Sequence, residues 1–404
     1  GIKAECGQDF PVAMRMGMKS YIKGFNQASI DGTEEAGRTI EEAVEIAKLL
    51  ERFGYDMLDV NSGIYDSFYY CVAPAYLSKR LKEAVSIPVF TAGRMDDPNL
   101  CEEAVRNNET DGVALGRASL ADPYYVKKLQ MGRPEKIRPC IACGNCMASA
   151  FNKGSATCTV NPQGMKEGLY GMTKAVQPKH VVVVGGGVCG MEAARNAAAR
   201  GHEVELLERA DKLGGRLFDA GVHSFKGSIR ALNEWYIGEL KDLGVRVRMN
   251  TEATPELLKA SGADTVIFAI GSEPLMPRAI EGIDSKKAVA CTDILLGKKE
   301  AGQKVVIVGG GLVGAEMAYD MGAEGKEVYL VEALDDICAN DPNGVPFWVR
   351  DMLNELLSRN HVEKLMGHRL DRITDKGAVV LDKDGNQKEI EADDVIIAIG
   401  FRAR

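Results

Sequence analysis

The chain has 404 residues, 45% hydrophobic and 27% charged, the composition of an ordinary globular protein with room for two or three buried cores. A net charge of −8 argues against nucleic acid, which needs clustered Lys and Arg to displace counterions, and no apolar run approaches the roughly 20 residues of a membrane helix. There is no signal-peptide pattern, and the chain opens at Gly1 and stops at Phe401-Arg-Ala-Arg404, so we expect both ends to be cuts in a longer protein.

The first 130 residues alternate strand and helix. Apolar runs at 11–15, 55–60, 87–91 and 112–116 read as buried strands, with helical patterns over 39–53, 77–85 and 99–107 between them. Repeated βα units predict a parallel sheet. Four such units are half of what a (β/α)8 barrel needs, so this segment reads as the second half of one. Arg15 ends one strand, and Gly93-Arg94 and Gly116-Arg117 end two others, at the edge where a barrel collects ligands. Gly opens the backbone and Arg forks onto phosphate. A surface arginine near a turn is a realistic reading of Arg94 and a poorer one of Arg117. Asn61 to Tyr70 is aromatic and polar, as a pocket wall would be, with core packing an equal contender for Phe68 and Tyr70.

A basic connector, 123–139, leads into four cysteines within nineteen residues: Cys140, Cys143, Cys146 and Cys158, spaced C-x2-C-x2-C-x11-C. Without a signal peptide, so tight a group reads as a metal site in a reducing cytosol rather than a disulfide framework. Three local thiolates and one distant thiolate suit a 4Fe–4S cubane. Zinc is the structural alternative, although zinc ribbons usually pair two well-separated C-x2-C knuckles.

From Pro178 onward the pattern is duplicated. Strand 180–184 runs into Gly185, Gly187 and Gly190, a G-x-G-x-x-G turn before an Ala-rich helix, and Glu208 ends the next strand. The first Gly allows the turn, the second lets a pyrophosphate approach, the third lets helix and strand pack, and the acid receives a ribose 2′-OH. About 125 residues on, Gly309, Gly311, Gly314 and Glu332 repeat the device. An acid at Glu332 favours NADH, because it repels a 2′-phosphate. Only the first copy is followed by Lys212-Leu-Gly-Gly-Arg216, which suggests different ligands. The pairing resembles flavoprotein disulfide reductases, whose first site holds FAD and whose second holds NAD(P)H. That assigns Gly185, Gly187, Gly190, Glu208, Gly215 and Arg216 to FAD and the second set to NADH. Ala269-Ile-Gly271 and Ala398-Ile-Gly400 match the crossings between the two domains. His223, His361 and His368 read as solvated or capping residues.

The order half-barrel, four-cysteine segment, and two dinucleotide motifs resembles the 2-enoate reductase and 2,4-dienoyl-CoA reductase family of NADH:flavin oxidoreductases. The resemblance rests on Phe10-Pro-Val-Ala-Met-Arg15, Gly63-Ile-Tyr-Asp-Ser67, Ala92-Gly-Arg-Met-Asp96, Leu115-Gly-Arg117, Ile137-Arg-Pro-Cys-Ile-Ala-Cys143 and Cys158-Thr-Val-Asn-Pro162. It implies an α/β fold in four parts: the C-terminal half of an FMN-binding TIM barrel (1–132), a 4Fe–4S linker (133–178), an FAD domain (179–290) and an NADH domain (291–404). It also implies that electrons pass from NADH through FAD, 4Fe–4S and FMN to an activated C=C, with Arg15, Gly93, Arg94, Gly116 and Arg117 at FMN. The proton donor is expected upstream of residue 1, with Tyr65 and Tyr69 the candidates within this chain. Relatives carry a longer loop where Tyr76 meets Leu77. The cysteine spacing matches trimethylamine dehydrogenase-like members, which keeps amine dehydrogenation open. An NADH diaphorase or electron-transfer subunit is the reading outside substrate catalysis. We expect a small unsaturated carbonyl substrate, no nucleic-acid or membrane partner, a cytoplasmic location and a homo-oligomer.

Overall fold

The structure, a computed structural model, describes residues 1–24, 27–29, 35–61, 75–339 and 344–404. They fall into two units, Gly1–Cys140 with Pro346–Met352, and Ile141–Val345 with Leu353–Arg404.

In the first unit four parallel strands lie side by side in chain order: β1 (Ala13–Gly17), β2 (Met57–Asn61), β3 (Val89–Ala92) and β4 (Gly112–Ala114). Pairing starts at Ala13 and Val89, and just ahead of each start Val12 O accepts the Asp56 N–H at 2.8 Å and Pro88 O the Leu58 N–H at 2.9 Å. Helix α1 (Ile40–Arg52) begins with a capping box in which Thr39 Oγ1 accepts the Glu42 N–H at 3.2 Å and Glu42 Oε2 accepts the Thr39 N–H at 2.9 Å. Helix α2 (Ala75–Lys82) follows β2, and α3 (Pro98–Arg106) is capped by Asp97 with proline at its first position. Met16, Leu58, Val60 and Val89 pack one sheet face onto Ala43, Ala47, Leu77 and Leu81. Side chains alternate along a strand, so Arg15 and Asp59 stand on the opposite face. Arg15 was expected at a strand end. It lies mid-strand, opposite Asp59, because the register with β2 carries the ladder on to Gly17 and Asn61.

After β4 come α4 (Arg117–Ala121) and α5 (Tyr125–Gln130). Buried Asp122 ties the connector together: its Oδ2 accepts from Lys128 Nζ at 2.6 Å and from the Arg138 N–H at 2.8 Å.

The second unit opens with α6 (Asn145–Lys153) and then builds two parallel sheets on one plan. The first holds β5 (His180–Val184), β6 (Glu203–Leu207), β7 (Arg246–Arg248) and β8 (Thr265–Phe268) in the order β8-β5-β6-β7, with α7 (Val188–Ala199) between β5 and β6. A short strand, β9 (Ser272–Pro274), follows β8. The second sheet holds β10 (Ala288–Ala290), β11 (Lys304–Val308), β12 (Glu327–Glu332), β13 (Glu363–Met366) and β14 (Asp394–Ile397) in the order β10-β14-β11-β12-β13, with α8 (Leu312–Ala323) between β11 and β12. The central strands are buried along both faces, which explains their unbroken Val and Ile runs. A three-stranded antiparallel sheet over 369–391 shares the second core, setting Ala378, Val380 and Ile390 with Val306, Val331 and Val395. The residues just past Ala269-Ile-Gly271 and Ala398-Ile-Gly400 pair with each other: β9 runs antiparallel to β15 (Phe401–Ala403), Ser272 opposite Ala403. Among the described residues, no helix is long and apolar enough to cross a membrane.

Candidate functional site

The first glycine turn is packed so tightly that it tolerates no side chain at two of its positions. Gly185 has φ +107°, and a Cβ there would stand 2.3 Å from Ala269 O. A Cβ on Gly190 would stand 1.8 Å from Gly185 O. The start of α7 therefore lies against the turn at a separation only glycine permits. Gly187 is different. Its φ of −76° suits any residue, and the nearest atom to an added Cβ is Gly215 Cα at 4.0 Å. The space it leaves lies at the N-terminus of α7, where unpaired N–H groups and the helix dipole favour an anion. Glu208 Oε2 accepts the Gly186 N–H at 2.6 Å and its Oε1 the Ala210 N–H at 2.8 Å, so this acid braces the turn, with a second lone pair left on each oxygen. The Lys212–Arg216 loop folds over the turn, the Gly214 N–H donating to Gly186 O at 2.9 Å. Together they bound a cleft of about 500 Å³ lined by Gly187, Glu208, Lys212, Gly215, Arg216 and Thr251, among others. Arg216 pairs with buried Asp219, whose carboxyl is pushed up by burial against the lowering pull of that arginine.

The second turn repeats this construction. Gly309 has φ +111° with Ala398 O 2.5 Å from its would-be Cβ, and a Cβ on Gly314 would stand 1.9 Å from Gly309 O. Glu332 accepts the Gly310 N–H at 2.6 Å and the Leu334 N–H at 2.9 Å. Gly311 has φ −65° and nothing within 4 Å of an added Cβ. Here the Cys338 N–H, with Cys338 itself at φ +52°, donates to Gly310 O at 2.9 Å, in the place Gly214 takes in the first copy. The two nucleotide turns thus differ in the covering loop rather than in the cradle.

Of the four clustered cysteines, Cys140 is the last residue of the first unit, while Cys143, Cys146 and Cys158 belong to the second. Ala142 and Gly144 both have left-handed backbones, φ +54° and +73°, and Cys143 between them does not. Alternation of this kind turns successive N–H groups to one side and forms a concavity suited to an anion such as a thiolate-ligated cluster. A left-handed alanine costs roughly 1–2 kcal/mol, which marks the turn as built for a purpose. Three closely spaced thiolates and one more distant thiolate are the donor set a 4Fe–4S cubane takes, one per iron.

In the first unit, Arg15 Nη1 donates to Asp59 Oδ2 at 2.9 Å, and Asp59 Oδ1 is buried with no hydrogen-bond partner among the described residues. Gly93 and Arg94 form a left-handed pair, φ +113° and +52°, with Arg94 Nε 3.6 Å from Asp96. Gly116, with nothing within 4 Å of an added Cβ, precedes α4, whose first residue is half-buried Arg117. Gly93, Arg94, Gly116 and Arg117 lie just beyond the C-terminal ends of β3 and β4, whereas Arg15 and Asp59 lie at the middle of β1 and β2. Tyr65, Tyr69, Phe68 and Tyr70, with most of the Asn61–Tyr70 wall, lie outside the described residues. Asp59 gave no sign in the sequence, since only the strand register sets it beside Arg15, 44 positions away. His223 corrects an expectation: it is buried, with Nδ1 2.7 Å from Asp320 Oδ2 and its ring stacked on Phe225. A folded-back loop buries it, which local polarity did not reveal.

Two acid-braced glycine cradles built on one plan in one unit are the arrangement of a two-dinucleotide-binding fold. The pyridine nucleotide-disulphide oxidoreductase family model matches residues 164–258 and 258–404, and that of the NADH:flavin oxidoreductase / NADH oxidase family matches 1–136. The chain belongs to the pyridine nucleotide-disulphide oxidoreductase family, joined to an NADH:flavin oxidoreductase barrel segment, a combination that fits the 2-enoate reductase group. It is 43% identical to cinnamate reductase of Clostridium sporogenes over 99% of this chain and 61% of that protein. It is 36% identical to NADH oxidase of Thermoanaerobacter brockii, again over 99% and 61%. The structure of a 2-naphthoyl-CoA reductase complex with 2-naphthoyl-CoA superposes with a TM-score of 0.89 at 32% identity, covering 99% of this chain and 60% of that one. The chain thus spans about three fifths of the length of these relatives.

Proposed function

We propose that the full-length protein is an NADH-dependent reductase of the activated C=C of an α,β-unsaturated carbonyl compound: a 2-enoate, an enoyl- or dienoyl-CoA, or a steroid enone. The observation that carries this reading is the doubled, acid-braced glycine cradle in a chain that also holds the four-cysteine segment and a flavin-barrel segment. The relatives named cinnamate reductase and 2-naphthoyl-CoA reductase support the substrate class, cinnamate being itself a conjugated enoate. When bound, FAD, a 4Fe–4S cluster and FMN supply a redox path from NADH to the substrate.

The chain's own residues have separable tasks. Gly185, Gly187, Gly190, Glu208, Gly215 and Arg216 bind FAD, and Gly309, Gly311, Gly314 and Glu332 bind NADH. Glu332 excludes a 2′-phosphate by charge. Cys140, Cys143, Cys146 and Cys158 ligate iron. Arg117 and Gly116, with Gly93 and Arg94, hold the FMN phosphate end. Arg15 offers the reduced ring a positive charge that Asp59 moderates. Amine dehydrogenation draws less support, because an intact acid-bearing second cradle has no use in it. We place the protein in the cytoplasm, where its cysteines stay reduced, and expect it to be a homo-oligomer.

The test is anaerobic turnover of the full-length holoprotein. Cinnamate-type enoates should accelerate NADH oxidation, and Cys143→Ser should leave reduction of FAD by NADH intact while stopping reduction of FMN. Dye reduction with no enoate turnover, for any enoate tried, would leave only a diaphorase.

A further inference from the structure

The second part of the cysteine segment returns to the first through a hydroxyl. Cys143 Sγ and Thr159 Oγ1 are 3.3 Å apart, the thiol donating. The chain around each partner is held in place. Cys143 sits between the two left-handed residues Ala142 and Gly144. The segment that carries Thr159 is fastened to α6 by buried Ser149, whose Oγ accepts the Thr157 N–H at 2.9 Å and the Thr157 hydroxyl at 3.1 Å and donates to the Cys146 carbonyl at 3.2 Å. Asn145 Nδ2 completes the set, reaching Thr157 Oγ1 at 3.4 Å. The Thr159 hydroxyl is thus delivered to the Cys143 sulfur by a network that also contains the turn of Cys146.

We propose that Thr159 is a positioning residue that tunes the iron–sulfur cluster through the Cys143 sulfur, an inference that rests on reading the four cysteines as cluster ligands. A thiolate bound to iron has lost its proton, so the polarity of the pair reverses: the Thr159 O–H donates and the sulfur accepts. Reduction adds one negative charge to the cluster and its sulfurs. A donor on a ligand sulfur stabilises that charge and raises the reduction potential. Thr159 and Cys143 are both exposed in this chain, so water could compete for the sulfur. Valine in place of Thr159 sets a methyl where the hydroxyl was and keeps water from the same position.

The experiment uses the anaerobically purified full-length holoprotein, with iron content and a reductive titration followed by electron paramagnetic resonance of the reduced cluster. Thr159→Val should keep its iron and titrate lower, the reduced-to-oxidised ratio at a fixed potential falling several-fold. A tenfold fall corresponds to about 59 mV for a one-electron couple. Thr159→Ser, which retains the hydroxyl, should titrate with the parent. A valine variant that keeps its iron at the parent potential would overturn the proposal, and so would one that loses its iron, since the hydroxyl would then be structural. Absence of iron from the parent protein would instead sink the cluster reading on which the proposal stands.

Discussion

The two kinds of glycine in the second cradle call for opposite results from one substitution. A Cβ on Gly314 would stand 1.9 Å from the Gly309 carbonyl oxygen, where ordinary contact begins at 3.4 Å, so α8 and the turn must part by about 1.5 Å. Both sides are backbone, and no side chain can swing away. Overpacking of this kind belongs at the upper end of roughly 1–3 kcal/mol. At about 2–4 °C per kcal/mol for a unit of this size, Gly314→Ala should lower the melting temperature by roughly 5–10 °C. Gly311 has an unstrained φ of −65° and open space around it. Alanine there loses a little as a helix cap and gains a little by restricting the unfolded chain, effects of about 0.5–1 kcal/mol that offset each other. Gly311→Ala should therefore melt with the parent. Its methyl nevertheless occupies the approach of a pyrophosphate to the backbone, and NADH binding should weaken at least about tenfold, or 1.4 kcal/mol. Differential scanning fluorimetry and NADH titration of the full-length protein read the two effects separately. Parent-like NADH affinity in Gly311→Ala would refute the reasoning, and so would equal thermal losses in the two variants.

Glu332→Gln should narrow the preference for NADH over NADPH, by on the order of 1–3 kcal/mol in relative kcat/KM, because the charge that repels a 2′-phosphate is gone; equal preference in the parent would show that Glu332 does not face the ribose. Arg117→Lys in the full-length enzyme should release FMN while FAD and iron stay bound, since a point charge cannot reproduce the guanidinium fork, and full FMN occupancy after gel filtration would make Arg117 a surface residue. Burial pushes the Cys101 thiol up to about 11, so the folded protein holds this proton more tightly than the unfolded chain does. That contribution to stability is complete below the ordinary thiol range and is lost as pH rises through about 9 to about 11. Alkylation of native protein at pH 8 should accordingly find Cys101 about a hundredfold slower than an unhindered thiol, and mass spectrometry would expose an equal rate.

Much of this protein was legible in its sequence because its chemistry is local. The strands, the glycine turns and the acid after each turn are set by neighbours within some twenty-five residues. Both turns need glycine where φ is positive and where the following helix crosses the turn, although Ala269 and Ala398 close in on Gly185 and Gly309 from more than eighty residues away, and the apolar runs of β5 and β11 advertise their burial on both faces. The cysteine spacing likewise reads as a metal site from residues within nineteen positions. What the sequence left open depends on partners far along the chain. The register of β1 against β2 moved Arg15 from a strand end to mid-strand and set Asp59 beside it. The pairing of β9 with β15 joins residues about 130 positions apart, and no periodicity encodes it. The return of Thr159 to Cys143, and the burial of His223 against Asp320, follow from loops folding back. Polarity along the sequence reports what a residue can bond, and only tertiary packing decides which group it meets.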